Sequence, residues 1–212
     1  MASDTLQHRP GTTPPASTAL AKRPGAIVLA RHGEPALSRK VKLTSADYRA
    51  WWARYEEGGL LEGQVPPEHL KAAAEGAGFI LASTRRRSQE TAAAVAGDRV
   101  VAHDPMFIEA PLPPPDFPRF MRFSPRTWGV IARLWWWMFD HHEGQETRDQ
   151  AKVRAKAAAA ALIGMADAGE DVLVLAHGFF NGMVGVELSR QGWRCTKDEG
   201  FKYWSARRFE KR

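Results

Sequence analysis

The sequence predicts an α/β fold, a three-layer α/β/α sandwich with a mainly parallel central sheet. Residues 26–30 and 79–82 are short apolar runs without polar alternation, which is typical of strands buried on both faces of a parallel sheet. A third run of this kind, within residues 171–176, follows two long helical segments. Strands that alternate with helices along the chain indicate a sheet covered by helices on both faces.

The composition is that of a folded domain. Of the 212 residues, 44% are hydrophobic, which excludes a mostly disordered chain, and the single cysteine, Cys195, excludes a disulfide framework or a cysteine-rich zinc site. No stretch approaches the roughly 20 apolar residues of a membrane span, so we expect a cytoplasmic protein. The balance of 30 Lys and Arg against 24 Asp and Glu is compatible with anionic partners but selects none of them.

Three regions are expected along the chain. Residues 1–24 are rich in Pro, Thr, Ser and Ala and have no apolar period, which predicts a flexible tail. Residues 25–212 are expected to form a single domain. Within it, residues 104–142 begin with a long proline-rich loop and are expected to form a lid-like insert.

Local signals place the other elements in order. Thr44 is a typical N-cap for a helix in which Tyr48, Trp51, Trp52 and Tyr55 share one face, and Gly58 ends that helix. The remaining elements are expected as a short helix from Pro67 to Gly76, a helix from Ser83 to Gly97, a strand over 99–103, a helix over 124–142, a helix over 147–168, a helix from His177 to Arg190 and an edge strand over 201–209.

Polar residues follow three of the predicted strands at the point where each strand ends. Arg31 and His32 follow the first strand, residues 83–87 follow the second, and His177 follows the strand at 171–176. In α/β sheets, ligands bind outside the carboxyl ends of the strands, so these side chains should converge on one crevice. Arginines and helix N-termini suit a phosphate group.

Taken together, these motifs resemble the histidine phosphatase superfamily, the phosphoglycerate mutase-like proteins. Residues 31–34 read Arg-His-Gly-Glu after a strand, as in the signature of that family, and residues 83–92 match its second motif. Residues 175–178 match its late histidine-glycine pair, and residues 144–147 resemble the start of its long helix. Several landmarks in the family's order are a far more specific signal than one of them alone.

The resemblance implies a role for each site residue. His32 would attack phosphorus and form a phosphohistidine, Arg31 and Arg87 would neutralise the phosphoryl oxygens, and His177 would donate a further hydrogen bond. Gly33 and Gly178 are expected to let the backbone approach the substrate. No metal and no other cofactor is expected, since the arginines supply the positive charge.

A carboxylic acid is needed to protonate the leaving group. In the family it lies after the third strand, where this chain has Glu109; Glu34, adjacent to the nucleophile in sequence, is the alternative. The prolines at 111–115 replace the family's Trp-Glu-Gly pattern, and residues 35–38 also depart from the mutase type. Both differences favour a phosphatase over a mutase.

We therefore expect a metal-independent phosphatase that hydrolyses phosphomonoesters through a phosphohistidine. The alternatives are a phosphoglycerate-type phosphomutase and a non-catalytic module that binds phosphorylated or anionic partners. The expected partner is a phosphorylated small molecule or phosphate, with no nucleic acid. A homodimer through the predicted edge strand at 201–209 stays open.

Residues 117–139 interleave aromatic side chains with arginines. Such a segment could stack on bases, line a substrate pocket or lie at a membrane interface. The favoured interpretation is a cap over the active site whose aromatic helix packs on the sheet, because buried tryptophans need no ligand.

Overall fold

A computed structural model describes residues 23–211 of the chain. The predicted tail therefore lies outside the described residues, apart from its last two positions. In chain order the elements are β1 (Ile27–Arg31), α1 (Ser45–Glu57), α2 (Glu68–Gly76), β2 (Phe79–Ala82), α3 (Arg86–Ala96), β3 (Ala102–His103), a 3-10 turn (Pro105–Phe107), α4 (Pro125–Phe139), α5 (Arg148–Asp167), β4 (Val172–Ala176), α6 (Gly178–Arg190), β5 (Trp193–Asp198) and β6 (Ala206–Lys211).

The strands form one six-stranded sheet in the order β3-β2-β4-β1-β6-β5. Strands β3, β2, β4 and β1 are parallel, whereas β6 runs antiparallel to β1 and β5 antiparallel to β6. The sheet is thus mainly parallel, as predicted. In the register, Arg31 lies opposite Ala176 and Ala82 opposite Leu175, so β1, β2 and β4 end at the same edge of the sheet.

Helices cover both faces of the sheet. Successive residues of a strand point to opposite faces, and accordingly Ile27 and Leu29 pack with α5 and α6 while Val28 and Ala30 pack with α2 and α3. Residues Ile27 to Ala30 are all buried, which explains why the run lacks polar alternation. The predicted three-layer sandwich is confirmed.

Two strand predictions need correction. The strand expected over 99–103 is only two residues long, and its alanine and histidine are both exposed. The prediction of an edge strand over 201–209 was wrong, because β6 begins at Ala206 and lies between β1 and β5. The edge strand is β5, whose mixture of Arg, Thr, Lys and Asp carries little strand signal.

Helix α4 packs differently from the prediction. It ends at Phe139, three residues early, where Asp140 adopts a left-handed backbone (φ 51°) that cannot continue the helix. Its buried Trp128 packs mainly against Tyr48 and Trp51 of α1 rather than on the sheet. The Trp128 indole N–H also donates to the Leu43 carbonyl (2.8 Å), which fixes the two helices together.

Helices α1 and α4 form a wall beside the edge of the sheet where β1, β2 and β4 end. As predicted, Thr44 caps α1, and its hydroxyl and the Asp47 carboxylate form a reciprocal capping box. Within residues 23–211, no helix combines the length and the hydropathy needed to cross a membrane.

Candidate active site

The structure brings the two predicted site histidines together at the carboxyl edge of the sheet. His32 follows β1 and His177 follows β4, and their ring centroids are 5.2 Å apart with an angle of 64° between the rings. The His32 amide donates to the Ala176 carbonyl (2.9 Å), which extends the parallel ladder into the site. Strand pairing therefore sets the distance between the two imidazoles.

His32 is held in one tautomer. Its Nδ1 lies 2.7 Å from the carbonyl oxygen of Gly33, which can only accept, so Nδ1 carries the proton and donates. The other ring nitrogen, Nε2, is left with its lone pair. The ring is only 2% exposed, and burial, together with the positive charges of Arg87 and Arg31, holds its pKa well below 6.5. A neutral imidazole with a free Nε2 is a competent nucleophile.

His177 has the opposite tautomer, with its proton on Nε2. Its Nδ1 lies 3.4 Å from a guanidinium nitrogen of Arg87, which can only donate, so Nδ1 accepts. Its Nε2 then carries the proton and donates to the Ser83 hydroxyl (2.9 Å). Burial is the main cause that keeps the pKa of His177 well below 6.5, and the charge of Arg87 adds to it.

We expect both histidines to stay neutral when the solution is moderately acidic. In an NMR titration of the free protein, the imidazole signals of His32 and His177, assigned with alanine variants, should not shift between about pH 7.5 and about pH 6. Because the unfolded chain takes up protons near pH 6.5 and the folded chain does not, the free energy of unfolding should fall as the pH drops below about 6.5. A titration midpoint at or above 6.5 for either ring would contradict this description.

Arg87 is the most deeply buried cation of the site, at 1% exposure. Its guanidinium donates to the Glu56 carboxylate (2.8 Å) and to the Tyr55 carbonyl (2.9 Å), and its carbon lies 4.6 Å from the centre of the Tyr55 ring. A charge this far from water needs such partners, and α1 supplies all of them. Arg85 reaches the same carboxylate (2.9 Å), whereas Arg86 is mostly exposed and pairs with Glu90.

Thr91 of the second motif links α3 to the loop after β1. Its hydroxyl donates to the Arg87 carbonyl (2.6 Å) and accepts from the Gly33 amide (3.0 Å). One side chain of α3 therefore ties the loop after β1 to the turn of helix that carries Arg87. Mutual positioning of the predicted nucleophile and the predicted arginine depends on this link.

Arg31 is held by residues of the turn between β5 and β6. Its guanidinium donates to the Phe201 carbonyl and its carbon sits 4.4 Å from the centre of the Tyr203 ring. Burial lowers the pKa of Arg31 from its usual value. Gly178 lines the same cavity as His32. A Cβ at position 178 would come 3.3 Å from the Arg31 side chain, so the glycine makes room for this arginine.

Packing against Trp204 explains why position 33 is a glycine. A Cβ at this position would lie 2.4 Å from the Trp204 indole, which covers the loop after β1. Trp204 itself has a left-handed backbone (φ 61°) and is fixed by a hydrogen bond from its indole N–H to Gln64 (2.8 Å). The glycine therefore admits this indole.

The two candidate acids lie in different surroundings. Glu109 is 8% exposed, lines the same cavity as His32, and accepts hydrogen bonds from the amides of Phe180 (2.8 Å) and Phe179 (3.3 Å) at the start of α6. Arg133 of α4 lies 3.9 Å from it. The Glu34 side chain is exposed. Of the two carboxylates, Glu109 is the one that the structure places with the histidines.

Arg154 fixes the segment that carries Glu109. It forms a two-bond ion pair with Glu146 (2.6 and 2.7 Å) and donates to the carbonyls of Met106 and Ile108. The Glu146–Arg154 ion pair therefore anchors the chain directly before Glu109.

The site opens into a cavity of about 760 Å³. Seven Lys and Arg residues line it against one carboxylate, Glu109, so the cavity favours an anion. The basic residues are Arg31, Arg39, Lys40, Arg87, Arg126, Arg133 and Lys202. Aromatic rings from α1 and from the turn between β5 and β6 form much of the remaining wall.

Three residues of this site were not predicted from the sequence. Glu56 holds two arginines, Arg39 donates to the Tyr55 hydroxyl (2.9 Å), and the Tyr203 ring lies 5.8 Å from that of His32. Burial raises the pKa of Tyr203 to about 12, so its phenol stays protonated. None of the three follows a buried strand. The only local signal was that Glu56 and Tyr55 belong to the helix with the aromatic stripe.

The two buried histidines lie at the ends of parallel strands of an α/β sandwich, in a cavity whose positive charge suits an anionic group. Residues 27–194 match the model of the histidine phosphatase superfamily, branch 1, and the chain belongs to that superfamily. No curated protein sequence matches this chain.

Solved structures share the fold at low sequence identity. "Mycobacterial hydrolase 1" is 18% identical with a TM-score of 0.56, over 88% of this chain and 89% of that one. Phosphoglycerate mutase from Bacillus anthracis str. Sterne is 16% identical with a TM-score of 0.55, over 89% and 88%. A mutant phosphoserine phosphatase from Entamoeba histolytica in complex with phosphoserine is 14% identical with a TM-score of 0.53, over 78% and 80%. The likeness to phosphoglycerate mutase-like structures agrees with the predicted fold.

Proposed function

We propose that this protein is a phosphatase that hydrolyses phosphomonoesters through a phosphohistidine on His32. The observation that carries the proposal is the state of His32, whose Nδ1 donates to the Gly33 carbonyl and whose buried, neutral ring lines one cavity with Arg31 and Arg87. Such a ring is a nucleophile, and the arginines beside it attract a phosphoryl group. The shared fold with phosphoserine phosphatase and phosphoglycerate mutase supports the same class of substrate.

Two displacements at phosphorus make up the reaction. His32 Nε2 attacks phosphorus, the bond from phosphorus to the ester oxygen breaks, and that oxygen takes a proton from Glu109. Water then attacks the phosphohistidine, the N–P bond breaks, and the Glu109 carboxylate takes up the proton that the water loses. Inorganic phosphate leaves, and both residues return to their starting state.

The arginines of the cavity would stabilise the transition state. Arg31 and Arg87 line the same cavity as His32 and would neutralise the phosphoryl oxygens as charge redistributes. His177 accepts from Arg87 and so orients that guanidinium. We infer that the reaction needs no metal ion, because these fixed cations provide the stabilisation, and that the insert with α4 acts as a lid over the cavity.

The test is hydrolysis of two esters in the presence of EDTA, with Glu109→Gln as the informative variant. Wild type should release phosphate from both p-nitrophenyl phosphate and glycerol 2-phosphate. Glu109→Gln should lose about 10²- to 10⁴-fold in kcat/KM on the glycerol ester, which needs an acid, and much less on the nitrophenyl ester, whose leaving group is already stable. Glutamine keeps an oxygen for the α6 amides, so the fold should persist.

Glu34→Gln is the matched control and should leave both rates unchanged. An equal loss on both esters in Glu109→Gln, or the selective loss in Glu34→Gln instead, would contradict the assignment of the acid. Absence of phosphate release by the wild type from any phosphomonoester, or release only when a metal is supplied, would contradict the proposed function.

A further inference from the structure

Helix α4 presents an apolar face to solvent, although it belongs to a folded domain. It buries Trp128 and Trp136 on one side. On the other side Val130, Leu134, Trp137 and Met138 are 53%, 50%, 48% and 65% exposed, and their spacing places all four on one stripe. A solvent-facing stripe on a surface helix is normally polar, so this one is unusual enough to mark an interaction surface.

The segment that leads into this stripe is positively charged. Residues 117–139 contain four arginines and no aspartate or glutamate. Arg119, Arg122 and Arg126 are exposed, and they lie at or just before the N-terminal end of α4. Phe120, between two of them, is 84% exposed. An apolar helical stripe bordered by arginines and exposed aromatic rings has the chemistry of a helix that lies in the plane of an anionic bilayer surface.

The apolar stripe is continuous with the mouth of the cavity. Val130 belongs to both, Arg126 before it also lines the cavity, and Arg133 on the adjacent side of α4 reaches Glu109 inside the site. From Val130 to Met138 the stripe is about 12 Å long at the usual rise of a helix. A flat surface that covers it would lie directly beside the opening above His32.

We propose that the outward face of α4, with Phe120 and the arginines before it, docks on an anionic phospholipid bilayer. The apolar side chains enter the boundary between headgroups and acyl chains, and the arginines bind lipid phosphates. Trp137 suits this boundary because its ring is apolar and its N–H is polar. Charge complementarity favours this occupant, because the exposed arginines at the N-terminal end of α4 match the anionic headgroups of such a bilayer.

The test is cosedimentation with vesicles of phosphatidylcholine containing phosphatidylglycerol, compared with vesicles of phosphatidylcholine alone. Wild type should bind the anionic vesicles at least tenfold more tightly, and added salt should weaken that binding. Leu134→Glu with Trp137→Glu should lower the affinity at least tenfold. Val186→Glu is the matched control, because Val186 is 51% exposed on α6 and away from this stripe, and it should bind like wild type.

Two results would overturn the proposal. One is equal vesicle binding by the wild type and the double variant. The other is absence of vesicle binding together with a wild-type dimer in sedimentation velocity that the double variant loses, which would assign the stripe to a second copy. Phosphate release from p-nitrophenyl phosphate, measured in parallel, should be the same in all variants. A protein that binds vesicles but never releases phosphate would contradict the proposed function and leave the docking intact.

Discussion

Replacing His32 with alanine should lower kcat for phosphomonoester hydrolysis by about 10⁴-fold or more, the scale of effect seen when an enzyme loses its nucleophile. Of the two described histidines that line the cavity with Arg31 and Arg87, His32 is the one whose tautomer leaves a ring nitrogen with a free lone pair. His177 cannot replace it, because both of its ring nitrogens already face protein groups. Steady-state release of phosphate measures the effect.

His103→Ala provides the control for this variant, since that histidine is exposed at the end of β3. It should retain full activity. Thermal unfolding of His32→Ala should show a folded protein, so that the loss is a loss of chemistry. Activity within tenfold of wild type in a folded His32→Ala protein would rule out His32 as the nucleophile.

Arg87→Ala should reduce both activity and stability. Removal of one charged donor that stabilises a transition state lowers kcat/KM by about 10²- to 10³-fold. The same change takes one of two arginines from the Glu56 carboxylate, which keeps Arg85, and leaves the Tyr55 carbonyl without this donor, at a cost of about 1–3 kcal/mol in the free energy of unfolding.

The neighbouring arginine offers a matched comparison. Arg86 is 69% exposed and pairs with Glu90, so Arg86→Ala should change stability by no more than about 1 kcal/mol and should leave kcat/KM unchanged. Denaturant unfolding and initial rates on the same preparations test both statements. Similar behaviour of the two variants would mean that burial of Arg87 has no role in catalysis.

The fold was predictable because its central strands are buried on both faces. Continuous apolar runs such as residues 172–176 are too short for a typical helix and so indicate buried strands, and the polar residues that follow them mark the edge where ligands bind. Strand β5 escaped prediction because it is an edge strand, and only Trp193 of its six residues is buried.

The second half of the site depends on contacts that are distant in sequence. Glu56 meets Arg87 across 31 positions, and Arg31 meets the Phe201 carbonyl across 170. No local periodicity encodes either contact. The first forms only when α1 packs on the sheet edge, and the second only when the turn between β5 and β6 packs there. The same holds for α4, whose tryptophans were expected against the sheet but find α1 and the residues around Ala110 and Leu112.

A covalent phosphohistidine is the central claim, and Glu109→Gln with p-nitrophenyl phosphate tests it most directly. This ester should phosphorylate His32 without an acid, whereas hydrolysis of the intermediate should be slowed by loss of the Glu109 base, so the phosphoenzyme should accumulate. After a rapid quench in base, peptide mapping should find one phosphoryl group on His32, labile in acid. Phosphate release with no phosphorylated His32, or a phosphoryl group on a different residue, would contradict the account.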